Sequence, residues 1–239
     1  LDLNDLNMII GGVQKNSFID YPGKISCVLF LSGCNFICPY CHNPELARGR
    51  PTGAFCPSLE EFHDFLDSRR SFLEGVVISG GEPTLQADLP EICTSIKKRG
   101  YRVKLDTNGS RPQMVRRLID ERLVDFVAMD IKTDPSHYPP LIHVRDQERR
   151  IRESIGIVMR SAVAYEFRTT CVKPIINTAI IDTISRRIEG AMRYVLQSFQ
   201  DQRLLNPAFF QDIDPAFTPE QMVQLKEVAQ PWVGECVIR

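Results

Sequence analysis

Short apolar runs recur along the chain, each closing on glycine or on polar residues. Gly75–Ser79, followed by Gly80 and Gly81, reads as a buried strand by its length and punctuation. Ile25–Leu31, Tyr101–Asp106, Val124–Asp130 and Tyr165–Lys173 read the same way, and Leu204–Phe210 and Val233–Ile238 are weaker strands of the same kind. Between these runs the apolar positions switch to helical spacing. Ser58 and Glu61 have the capping-box spacing ahead of Phe62, Phe65 and Leu66, and Leu89, Ile92, Cys93 and Ile96 form a second stripe. Pro112 opens a third helix with Val115, Leu118 and Ile119 inward. Ile151–Met159, Ile184–Phe199 and Pro219–Ala229 predict three more, the last with Thr218 as N-cap and Pro219 at the first helical position.

Strand and helix thus alternate about six times, the pattern of a parallel sheet with helical crossovers. The sheet is either doubly wound or a barrel, and an eight-unit barrel usually takes about 250 residues. One domain is expected over residues 1–239, with 1–11 as an N-terminal extension. The segment Thr133–Arg150 carries Pro135, Pro139 and Pro140 and predicts a loop leading into a helix.

Composition narrows the class. A hydrophobic content of 43% excludes a disordered chain. Twenty-nine basic residues against thirty acidic ones, a net charge of −1, argue against a sequence-independent grip on nucleic acid. No apolar run is long enough to span a bilayer, and the first ten residues do not read as a secretory signal, with Met8 a candidate start. A cytoplasmic protein without membrane contact is expected. Eight cysteines in such a chain then point to metal chemistry rather than disulfides.

Three of the eight fall together as Cys34-x3-Cys38-x2-Cys41, directly after the first strong strand. A loop wrapped around a metal can present all three. Zinc normally takes four ligands, and His42, adjacent to Cys41, is a cramped fourth. An iron–sulfur cube with three cysteines keeps one iron open for a small molecule, a catalytic arrangement. Cys27, Cys93, Cys171 and Cys236 sit in apolar patterns and read as core; Cys56 lies in a loop.

The Cys34–Cys41 motif resembles that of the radical S-adenosylmethionine enzymes, which carry C-x3-C-x2-C after the first strand of a partial barrel. The string SFIDYPGKISCVLFLSGCNFICPYCHNPEL (17–46) is similar to the glycyl-radical-enzyme activating enzymes, and among these to the activating proteins of anaerobic ribonucleoside-triphosphate reductases. The likeness runs from Gly12 to about Lys173 and weakly through residues 209–217. It implies an α/β fold, a partial (β/α)6 TIM-like barrel of the radical SAM type. It implies a [4Fe–4S] cluster on Cys34, Cys38 and Cys41 whose open iron chelates S-adenosylmethionine. One electron then cleaves a sulfonium C–S bond, and the resulting 5′-deoxyadenosyl radical takes a hydrogen from a backbone glycine of a partner.

The resemblance assigns further roles residue by residue. Ser79, Gly80, Gly81 and Glu82 would hold the methionine amino group, and Tyr40 would pack over the adenine. Asp106, Thr107 and Asp130 would hold a monovalent cation near the methionine carboxylate. Asn108, Lys132 and Arg168 would touch the cofactor, the last two as catalytic-site cations. The implied partners are a glycyl radical enzyme and a flavodoxin- or ferredoxin-like electron donor. The chain departs from many activases in lacking a cysteine-rich insertion, since only Cys56 lies between Cys41 and Cys93. The loop 133–150, with His137, Tyr138 and His143, is where partner specificity is expected, and both histidines read as solvated. Two alternatives stand beside this reading: a radical enzyme acting on a small molecule, peptide or RNA, and a non-enzymatic zinc or iron–sulfur module.

Overall fold

The computed structural model describes residues 9–49, 56–138, 147–200 and 203–239. Eight strands form one sheet in sequential order: β1 (Ile10–Ser17), β2 (Ser26–Leu31), β3 (Gly75–Gly80), β4 (Arg102–Thr107), β5 (Phe126–Asp130), β6 (Ala164–Cys171), β7 (Arg193–Ser198) and β8 (Glu235–Ile238). β1 pairs antiparallel with β2, and every later pair is parallel. A four-residue helix α1 (Pro44–Ala47) follows the cysteine loop. The crossovers are α2 (Leu59–Ser68), α3 (Leu89–Lys98), α4 (Pro112–Asp120), α5 (Gln147–Arg160), α6 (Thr178–Arg187) and α7 (Pro219–Ala229). Six strand–helix units therefore run from β2 to α7 before β8, and among the described residues the ladder ends at β1 and β8. This is an open, partial (β/α)6 barrel.

Local chemistry sets the boundaries. Ser58 accepts from the Glu61 amide at 3.1 Å while Glu61 accepts from the Ser58 amide at 2.7 Å, the reciprocal cap that opens α2. Thr218 and Gln221 repeat this at α7. Strand alternation then sorts side chains to two faces. Val76, Ile78, Val103, Leu105, Val127 and Phe167 face the helices and are buried in the main core. Tyr21, Val28 and Val77 face inward, with Phe30 and Phe126 against them, as an apolar plug. Gly75 is required beside it, because a Cβ there would lie 2.9 Å from the Tyr21 ring.

Three segments differ from the sequence expectation. The predicted helix Ile184–Phe199 is instead the end of α6 followed by β7. Gly190, at φ +81°, breaks the helix, and Tyr194 and Leu196 face the core from a strand with period two. Leu204–Phe210 is not a strand: Asn206-Pro207 opens a short 3-10 turn over Pro207–Phe210. β1 begins within the stretch read as an extension and has no apolar run to announce it, because three of its central residues face solvent. The weak strand Val233–Ile238 is present as β8. Cys27, Cys93, Cys171 and Cys236 are buried, as expected of core thiols. His143 lies outside the described residues.

Candidate cofactor site at the strand ends

Parallel strands bring their C-terminal ends to one rim, where α/β enzymes build their sites. A cavity of about 460 Å³ opens there. It is lined by Cys34, Cys38 and Cys41, by Tyr40, by Ser79 to Glu82, and by Asp106, Thr107, Asn108, Asp130, Lys132 and Arg168. Residues separated by more than a hundred positions thus converge on one space.

The cysteine loop forms one wall and is held by its backbone. The Gly33 and Cys34 amides donate to Leu46 and Ala47 carbonyls at 2.7 and 3.0 Å, so α1 clamps the start of the loop. The Leu205 and Asn206 amides donate to Cys41 and Pro39 carbonyls at 3.1 and 3.0 Å, clamping its end from the segment after β7. The Phe36 ring meets Tyr138 edge-on at 5.8 Å. Burial pushes the Cys34 thiol up to about 12 and Cys38 up to about 11. Thiols so placed stay protonated at neutral pH until a metal displaces the proton. Among the described residues, no group of three His, Cys, Asp or Glu side chains is arranged around a single ion, whereas a cube takes each thiolate on a different iron. The donor chemistry fits a cluster on Cys34, Cys38 and Cys41.

The Gly80-Gly81 turn presses directly against that wall. A Cβ on Gly80, whose φ is +117°, would lie 2.4 Å from the Leu31 carbonyl oxygen, and one on Gly81 would lie 2.0 Å from that of Gly33. The Gly81 and Glu82 amides donate to those same two oxygens, each at 2.8 Å. The glycines are therefore demanded by loop-on-loop contact in the chain itself. Glu82 is buried and its carboxylate is fully engaged: Oε1 accepts from the Thr84 amide, the Thr84 hydroxyl and the Thr107 hydroxyl, and Oε2 accepts from the Asn108 amide at 2.6 Å. It staples the end of β3 to the end of β4. Asn108 completes the tie to the cysteine loop by donating to Asn35 Oδ1 at 3.1 Å.

The opposite wall is ionic. Arg168 Nε donates to Asp130 Oδ1 at 2.7 Å, and its Nη1 lies 3.3 Å from Asp106 Oδ2. Lys132 Nζ donates to Asp130 Oδ2 at 2.8 Å, and Lys104 Nζ donates to Asp106 Oδ1. Burial works against both carboxylates, but the neighbouring cations hold Asp106 and Asp130 below the usual carboxylate range. Asp130 in turn raises Lys132, and Asp106 with Asp130 raises Arg168, each against the cost of its burial. Asp106, Asp130, Lys132 and Arg168 therefore carry full charge at neutral pH.

Several cavity or near-cavity residues had no sequence assignment. Lys104 is buried at 1% exposure beneath Asp106, and its position two residues earlier on an inward strand face is the signal that could have found it. Thr170, two beyond Arg168, was open to the same reasoning; Gln197 was hidden by the misread helix. Asp20 also lines the cavity, as does His42, the cramped fourth ligand of the zinc reading, with Nδ1 buried and unpartnered and its pKa lowered by burial and by Lys132. In the expected specificity loop, Tyr138 is buried and accepts from the Lys132 amide at 2.8 Å, while His137 is exposed on Asp134 and Ser136.

A family model described as the radical SAM superfamily matches residues 28–164. The chain is 32% identical over 239 residues to a Methanocaldococcus jannaschii protein provisionally named a glycyl-radical enzyme activating enzyme, covering 98% of this chain and 97% of that one. It is 32% identical over 158 residues to 7-carboxy-7-deazaguanine synthase of Methanopyrus kandleri, with 57% of this chain and 60% of the relative covered. It is 30% identical over 145 residues to pyruvate formate-lyase-activating enzyme of Streptococcus mutans, with 55% of this chain and 53% of the relative covered. The fold is also that of Streptococcus suis SuiB bound to S-adenosylmethionine, at a TM-score of 0.64 and 14% identity over 88% of this chain and 51% of that one. Among the described residues no helix is long and apolar enough to cross a membrane. The chain belongs to the radical SAM superfamily, and within it is similar to the glycyl-radical-enzyme activating enzymes.

Proposed function

We propose that this protein is a glycyl-radical-enzyme activase whose partner is an anaerobic ribonucleoside-triphosphate reductase. The observation that carries the chemistry is the convergence of Cys34, Cys38 and Cys41 with the Gly80-Gly81 turn and the Asp106–Arg168–Asp130 ion pairs on one cavity. A [4Fe–4S] cluster held by Cys34, Cys38 and Cys41 would supply the one electron that reductive cleavage of a sulfonium C–S bond in S-adenosylmethionine requires, with methionine and a 5′-deoxyadenosyl radical as the products. The chain's own residues do the holding. Cys34, Cys38 and Cys41 ligate, Lys132 and Arg168 offer charge to a carboxylate, and Tyr40 and Phe36 cover the thiols from water.

Two observations favour a protein substrate. The end-to-end similarity is to a protein named for activating a glycyl radical enzyme. The cavity of about 460 Å³ lies at the small end of the range of roughly 300–1,000 Å³ for ligand sites. Filled by cluster and cofactor, it leaves little enclosed space for a further small molecule, so the target hydrogen arrives on something inserted from outside. The choice of the reductase rests on the string 17–46 alone.

The test is anaerobic reconstitution with iron and sulfide, reduction by a flavodoxin, and addition of S-adenosylmethionine with the reductase. A glycyl radical in the EPR spectrum, in proportion to 5′-deoxyadenosine, is the expected result. 5′-Deoxyadenosine without a protein radical would overturn the activase reading. The similarity to 7-carboxy-7-deazaguanine synthase motivates a second, small-molecule reading, which formation of 7-carboxy-7-deazaguanine would favour.

A further inference from the structure

A lysine is almost never fully buried unless its charge is matched. Lys104 is 1% exposed on the inward face of β4, between Val77 of β3 and Phe126 of β5 in register, with its ammonium 5.9 Å from the Phe126 ring centre. Its charge is matched by Asp106 alone among the described residues. Asp106 is one of the three residues that the family resemblance offers to a monovalent cation.

That donor set does not fit a cation in this chain. Asp106 Oδ1 and Oδ2 face Lys104 and Arg168, and Asp130 Oδ1 and Oδ2 face Arg168 and Lys132. The Thr107 hydroxyl donates to Glu82 at 2.7 Å and accepts from the Gly109 amide at 3.1 Å. Every oxygen of the set is already engaged. Three cations and two anions also give the cluster of charges a net +1, which matches one ligand carboxylate, whereas a metal ion would add a fourth positive charge to a buried site.

We propose that Lys104 is a built-in counterion that takes the place of the monovalent metal ion, so that S-adenosylmethionine binding and cleavage by this chain need no such ion. Lys104 acts through Asp106 as a positioning residue and does not itself line the cavity. This rests on the radical SAM assignment and not on the identity of the partner.

The experiment measures the S-adenosylmethionine Kd and the 5′-deoxyadenosine rate of the reconstituted holoprotein in tetramethylammonium, sodium or potassium chloride at equal ionic strength. Sodium-23 relaxation reads ion binding independently of activity. The wild type is expected to vary less than twofold among the three salts and to show no saturable sodium site. Lys104→Met should lose at least tenfold in tetramethylammonium and recover with sodium or potassium, while Lys104→Arg behaves as the wild type. A tenfold loss by the wild type in tetramethylammonium, or a saturable sodium site in it, overturns the proposal, as does a Lys104→Met protein equally active in all three salts. If Lys104→Met does not fold, the wild-type salt series and Lys104→Arg decide the matter. Absence of cleavage in every salt, with no sodium site on the wild type, would sink the radical chemistry while leaving the counterion intact.

Discussion

The two walls of the cavity achieve the same rigidity by opposite means. The wall made by the ends of β2 and β3 is held by backbone hydrogen bonds and by glycines that let two loops touch. The wall made by β4, β5 and β6 is held by side-chain charge, with two carboxylates shared among three cations. A backbone-held wall depends above all on space. A charge-held wall tolerates small displacements but fails when one partner is removed, because a buried charge is left alone.

The largest expected effect falls on the thiols. Replacing any one of Cys34, Cys38 or Cys41 by Ala should reduce S-adenosylmethionine cleavage to background, read by chromatography of 5′-deoxyadenosine. Full activity in any one variant would remove that residue from the ligand set. Next comes the ionic wall. Arg168→Met leaves Asp106 and Asp130 each with one lysine but removes the guanidinium that ties them together, and unfolding in denaturant should report a loss of about 1.5–3 kcal/mol. A loss below about 1 kcal/mol would mean the two walls differ less than their construction suggests.

On the backbone-held wall, Gly81→Val must displace the Gly33 carbonyl, which a Cβ would approach to 2.0 Å. The expected cost is about 1–3 kcal/mol, with bound iron and cofactor affinity falling together. Iron content preserved at reduced affinity would assign Gly81 to the cofactor alone. The smallest effect is in acid. Asp106 and Asp130 have folded pKa values below their unfolded ones, so their stabilisation is fully present above about pH 4 and is lost as pH falls through the folded values. Asp130→Asn should therefore flatten the decline of stability below about pH 4 and leave the slope near neutrality unchanged. A variant as acid-sensitive as the wild type would place the titration elsewhere.

The sequence reveals the backbone-held wall more readily than the charge-held one. Cys34, Cys38, Cys41 and the Gly80-Gly81 turn are contiguous strings whose chemistry is visible in one line of residues. The ion pairs join β4, β5 and β6, and nothing local announces that Arg168 will reach both Asp106 and Asp130. Lys104 shows the limit most clearly: in sequence it is a polar residue in a strand, which usually faces water, and only the closing of the sheet turns it inward. The misread α6–β7 region has a different cause. Its apolar positions suit both periods over a short window, and Gly190 was the one residue that separated them. β1 escaped because a half-exposed edge strand needs little apolar patterning.

The clamp on the end of the cysteine loop has a consequence in time as well as in space. Leu205 and Asn206, which donate to Cys41 and Pro39, lie far downstream in the chain. At synthesis rates of about 5–20 residues per second, they leave the ribosome on the order of ten seconds after the cysteines they help to seat. The cysteine loop is thus made well before the residues that clamp its end, and it is seated only once the chain has grown past Asn206.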